Sequence, residues 1–91
     1  MALSISKSQM ASIMKSSYAE GAIMLITFTK RTDGSERHMI CVRNDDTSGM
    51  LYNPEDYNLM SVEDREKADY RMINLDGLKS GNINGVSYEV K

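Results

Sequence analysis

His38 and Cys41 are the residues with the widest chemical reach in this chain. An imidazole and a thiol can ligate a metal or move a proton. A zinc-type centre needs three or four ligands, and the chain holds one histidine and one cysteine. The two lie three positions apart in a strand-like run, so alternation sends them to opposite faces. A single histidine also excludes the acid–base sets built on a histidine pair. The cluster Asp45, Asp46, Glu55 and Asp56 has acceptors for a hard cation but not the Asp-X-Asp-X-Asp-Gly spacing of a calcium loop. Gly77 and Gly81 read as isolated turn glycines rather than a phosphate loop, and no serine lies in a Gly-X-Ser-X-Gly elbow. These patterns point away from catalysis: the expectation is no catalytic residue, no metal and no cofactor.

Residues suited to binding are more numerous. Lys30, Arg31, Arg37 and Arg43 fall on one predicted hairpin, and Lys67 and Arg71 fall on the next. With Tyr52, Tyr57 or Tyr70 beside them, these cations fit phosphates while the rings stack on bases. The competing reading is an ordinary mixed surface, because Asp33, Glu36, Asp64 and Glu66 are interleaved. Arg71 has an alternative of its own, an ion pair with Asp64 or Glu36 that ties two strands together. A second candidate surface is the segment 44–58, which carries Met50, Leu51, Tyr52 and Tyr57 and is set beside the turn at Asp33. Long loops in small barrels are often functional, and methionine and tyrosine are enriched where proteins meet.

The elements that must position these residues are legible from period and punctuation. Residues 22–30 and 35–43 are strand-like runs around Arg31-Thr32-Asp33-Gly34, the signature of a β-hairpin. Before them, residues 6–20 predict a helix. Ser6 is its N-cap, Gln9 the capping-box partner, and Ile5 with Met10 a hydrophobic staple. Met10, Ile13, Met14 and Tyr18 form its apolar stripe, and Gly21 ends it. Both faces of the first strand are apolar near its start, so the helix is expected to cover one while a barrel interior takes the other. Residues 59–62 and 69–75 predict two further strands around a charged turn at 63–67. Residues 76–80 predict a 3₁₀ turn, 82–85 a turn, and 86–90 a last short strand. Alternation places Met24, Ile26, Phe28, Met39, Cys41, Val62, Ile73 and Leu75 in one interior.

Composition bounds the class. The chain has 91 residues, 41% apolar and 26% charged, with a net charge of −2. That suits one small soluble domain, and it is neither the basic footprint of a typical nucleic-acid binder nor the acidic field of a DNA mimic. One cysteine excludes an internal disulfide and suits a reducing compartment. The longest apolar run, Ala22 to Ile26, is too short to span a bilayer, and residues 1–8 contain no apolar core of a signal peptide.

Thr27-Phe28-Thr29-Lys30, the Asp33-Gly34 turn, Arg37, Met39 and Cys41, then Val62-Glu63-Asp64, Lys67 and Tyr70-Arg71 through Asp76 resemble a family of short proteins of unknown function. These are encoded mostly by tailed bacteriophages and prophages and have an SH3-like β-barrel fold. The resemblance spans about residues 8–78. The last strands are also similar to the closing strand of WYL-type SH3-like modules, some of which bind nucleotides or nucleic acids; the Trp-Tyr-Leu motif itself is absent here. The resemblance implies a mainly β fold with one N-terminal α-helix: a small SH3-like barrel of about five strands. The whole is one domain over 1–91, with the helix at 6–20 and the barrel at 22–91. It also implies a phage origin and hence the cytoplasm of an infected host cell. The functional expectation is a non-catalytic binding protein that engages, inhibits or redirects a host or phage protein, a defence system included. The alternative is a nucleic-acid-binding module that uses the basic hairpin face. A homo-oligomer stays open, and a membrane partner is not expected.

Overall fold

The computed structural model describes residues 2–16, 23–44 and 49–91. Strand β1 (Leu3–Ile5) leads into helix α1 (Lys7–Ser16), then β2 (Met24–Thr29), β3 (Glu36–Arg43), a 3₁₀ turn at Pro54–Tyr57, β4 (Leu59–Asp64), β5 (Asp69–Asn74), a 3₁₀ turn at Leu75–Gly77, β6 (Leu78–Ile83) and β7 (Val86–Val90). The fold is mainly β with one N-terminal helix, as expected. It has seven strands rather than about five, in one sheet ordered β1-β7-β6-β2-β3-β4-β5. The ladder does not close into a complete barrel, because β1 and β5 stay at its two edges. The sheet curls enough to bring β5 near β2.

The helix starts where its signals place it. Ser6 N–H donates to Gln9 Oε1 at 2.9 Å, and Gln9 N–H donates to Ser6 Oγ at 3.1 Å, which completes the capping box. The expected helix end, with Tyr18 and Gly21, and the expected strand start at Ala22 lie outside the described residues, as do Asp45 and Asp46. Met10 and Met14 are fully buried, and they join the same core as Met24, Ile26 and Phe28. The helix therefore covers the interior rather than the second face of β2. Ile23 and Leu25, on that second face, stay more than half exposed or close to it. Gly81 explains the seating: a Cβ there would fall 2.6 Å from the Met10 terminal methyl and 2.8 Å from the Leu25 carbonyl oxygen.

Gly81 is thus a strand residue of β6, not a turn glycine. Leu78-Lys79-Ser80-Gly81-Asn82-Ile83 has low strand propensity and apolar groups only at its ends. Pairing with β2 on one side and β7 on the other holds it extended. The register slips between Thr27 and Phe28, whose partners are Ser80 and Leu78, and such a bulge sharpens the coil of the sheet. Asn84 and Gly85, both at positive φ, make the tight β6–β7 turn. β1 was invisible to pattern reading because it is three residues long and its parallel partner β7 lies at the far end of the chain. β4 runs on through Glu63 and Asp64, which were expected in a turn; the turn is 65–68, with Ala68 at φ 51°.

All eight residues assigned to the interior are buried, and Met10, Met14, Met60, Leu78 and Ile83 complete the core. Asp64 is the one buried carboxylate among the described residues.

Candidate binding groove

The β2–β3 turn is self-bracing. Asp33 Oδ1 accepts from the Ser35 hydroxyl at 2.7 Å and from the Ser35 N–H at 2.9 Å, and these bonds lower the Asp33 pKa. Gly34 takes φ 72°, and the Lys30 and Ser35 backbones close the turn. From this tip Arg31 reaches across the molecule. Its Nη2 donates to the Tyr57 carbonyl and to Asn74 Oδ1, both at 3.2 Å, and lies 4.0 Å from Asp76 Oδ2.

The far bank of this contact is equally well defined. Asn53 caps the Pro54–Tyr57 turn by accepting from the Glu55 N–H. Asn58 ends the turn in the left-handed region, and its Nδ2 donates to Asp76 Oδ1 at 2.7 Å. Arg31 therefore fixes the hairpin tip against the 53–58 segment, and the two expected surfaces meet at this residue.

Between the tip and β5 lies a groove of about 260 Å³. Lys30, Arg31, Arg37 and Arg71 line it, and among the described residues no carboxylate does. Its apolar lining is Phe28, Met39, Leu59 and Met72. Four of the six cations assigned to a basic face are thus brought together. Lys67 lies in an adjoining hollow with Lys30 and Arg37, but Glu36, Asp64 and Glu66 share it. Arg43 is elsewhere: its Nη1 donates to the Lys15 carbonyl at 2.8 Å, joining β3 to the last turn of α1.

Each arginine of the groove has a carboxylate behind it. Arg37 pairs with Asp64 at 3.0 Å, and Arg71 pairs with Asp69 at 2.7 Å. The strand-tying pair expected of Arg71 belongs instead to Arg37, because β3 places Arg37 beside the end of β4 while Arg71 finds its own strand neighbour. The Arg71 contact and the Tyr70 N–H lower the Asp69 pKa. Glu36 is taken by Lys79 at 3.4 Å and by His38 at 3.6 Å.

The tyrosine-bearing segment is open to solvent. Leu51 is fully exposed, Tyr52 and Tyr57 about half, and Met50 partly. The Tyr52 and Tyr57 rings meet edge to face with centroids 5.2 Å apart. Tyr70 is exposed on β5, outside the groove.

The two reactive side chains are parted as alternation predicts. His38 is exposed, with Nδ1 2.8 Å from Thr27 Oγ1. Cys41 is buried, and desolvation together with the charge of Asp64 pushes its thiol up to about 12, so it stays protonated and unreactive at neutral pH. Among the described residues no three His, Cys, Asp or Glu side chains gather as a metal site. No helix is long and apolar enough to cross a membrane. A broader, shallow concavity of about 840 Å³ lies on the outer face of β2, β6 and β7. Its charges, Lys7, Lys79, Lys91, Asp76 and Glu89, are mixed in sign and do not converge on one point.

Pattern reading missed the floor of the groove. The signal for Met72 was present: Tyr70, Met72 and Asn74 share the face of β5 that alternates away from buried Ile73. Comparison with family models, with curated proteins and with solved structures found no match for this chain.

Proposed function

We propose that the protein is a non-catalytic binding module that engages a protein partner through Met50, Leu51, Tyr52 and Tyr57, beside the hairpin tip at Asp33. The observation that carries this reading is the fully exposed Leu51 next to the edge-to-face pair Tyr52–Tyr57. Leu51 buries no area in the fold, and beside it the paired tyrosines supply rigid contact area at low entropic cost. The Arg31 bond to the Tyr57 carbonyl keeps the end of this surface anchored to the sheet. The resemblance to phage-encoded short barrels makes a host protein, a defence component included, the partner to seek in the cytoplasm of an infected cell.

A second reading is favoured by one observation. Lys30, Arg31, Arg37 and Arg71 assemble on one groove, as a nucleic-acid surface requires. Affinity capture with the wild-type chain and with a Leu51→Ala/Tyr52→Ala double variant separates the two. Loss of one captured protein in the variant supports protein binding. Unchanged capture together with salt-dependent binding of single-stranded DNA supports the second reading.

A further inference from the structure

The groove between the hairpin tip and β5 has a composition unlike the rest of the surface. Four cations surround an apolar lining that holds no carboxylate among the described residues, in a chain whose net charge is −2. Three of the four are arginines whose carboxylate partners, Asp64, Asp69 and Asp76, lie outside the lining. Those partners orient the guanidinium groups and leave further N–H donors for a ligand. Lys30 makes no salt bridge among the described residues, although Asp33 feels its charge and Glu36, Asp64 and Glu66 share its adjoining hollow, so it adds a fourth cation to the groove wall.

We propose that this groove binds a short acidic polypeptide segment, with one apolar side chain seated on Leu59 and Met72 and flanking carboxylates held by Lys30, Arg31 and Arg71. Size sets the first half of the assignment: about 260 Å³ holds one leucine- or phenylalanine-sized group and is smaller than a typical small-molecule site. Methionine adapts its shape to such a guest because its chain is unbranched and its sulfur polarizable. Charge sets the second half, since planar arginine forks match carboxylates in pairs. Single-stranded nucleic acid fits less well, because sequence-tolerant binding of bases uses exposed rings as platforms. Among the described residues the only ring in the groove is Phe28, which is 3% exposed, and Tyr52, Tyr57 and Tyr70 all lie outside it. The groove adjoins the Leu51–Tyr52 surface at Arg31, and its test is made at Lys30, Arg71 and Met72, outside the residues assigned to that surface.

The test is fluorescence polarisation with labelled synthetic probes. One is an eight-residue peptide of aspartate and glutamate around a central leucine, a second has alanine at the centre, and the third is an oligothymidylate of matched charge. The leucine peptide is expected to bind, with affinity falling as salt rises. Lys30→Glu and Arg71→Glu are each expected to weaken it about tenfold or more, and the alanine peptide to bind several-fold less well. Lys7→Glu, on the helix, is the control that leaves it unchanged. Met72→Glu places a carboxylate in the groove and is expected to abolish binding, with circular dichroism confirming that each variant is folded. Binding of oligothymidylate but not peptide, lost in the same variants, would reassign the groove to nucleic acid. Absence of peptide binding, or equal binding by folded Lys30→Glu and Arg71→Glu proteins, would overturn the proposal.

Discussion

Arg37 Nη2 lies 3.0 Å from Asp64 Oδ2, with the carboxylate side chain 4% exposed and the guanidinium side chain 22% exposed. The other oxygen, Oδ1, accepts from the Glu66 and Lys67 N–H groups at 3.0 and 3.3 Å. One carboxylate thus neutralises a groove cation, organises the β4–β5 turn and fills a buried position opposite Cys41. Removing it leaves the turn amides without their acceptor. Asp64→Ala is expected to destabilise the protein by about 3 kcal/mol, measured by urea denaturation, and Arg37→Ala by less because that side chain keeps some water. A double variant losing less than the sum of the singles would confirm direct coupling.

The helix cap and the helix seat are separable. Ser6→Ala removes the acceptor for the Gln9 N–H and is expected to cost about 1 kcal/mol. Gly81→Ala drives a methyl into the Met10 side chain and the Leu25 carbonyl. Its cost is expected to be about 1–3 kcal/mol, typical of overpacking. Truncating Met10 to alanine in the Gly81→Ala background should recover part of that loss, and thermal melts of the three proteins report it.

The Cys41 thiol gives a pH signature. In the unfolded chain it ionises near 9.0, whereas in the fold it holds its proton to about 12. Between those values the native state binds more protons than the unfolded state, so its contribution is complete below pH 9 and is lost as pH rises toward 12. The urea midpoint is expected to fall over that window, and to fall less steeply in Cys41→Ala. A thiol reagent at pH 8 should modify the native protein far more slowly than the denatured one.

The Leu51→Ala/Tyr52→Ala protein should fold and melt like the wild type within about 0.5 kcal/mol, because neither side chain belongs to the core. Partner capture should fall to background. A large drop in melting temperature would place these side chains in the packing instead.

Much of this structure was legible in the sequence because it is local. The reciprocal bonds of Ser6 and Gln9, the turn at Asp33-Gly34 and the buried alternation of Met24, Ile26 and Phe28 all depend on neighbours within a few positions. β1 and β6 were not legible because what makes them strands is the pairing of distant segments. The groove was half legible. Charge counting found Lys30, Arg31, Arg37 and Arg71, but only the curl of the sheet shows that Met72 and Leu59 lie beneath them while Arg43 turns away to Lys15.

The pairing of Ile5 with Val90 and Leu3 with Tyr88 has a consequence for how the chain is made. β1 is synthesised well before β7, its one sheet neighbour among the described residues. During synthesis the first strand has no partner, and the seat of α1 at Gly81 does not yet exist. The sheet therefore reaches its full width only after residue 90 has emerged, so the β1–β7 pairing is a late step of folding. Chaperones that hold nascent chains would meet an unpaired strand and the Met10–Met14 stripe together.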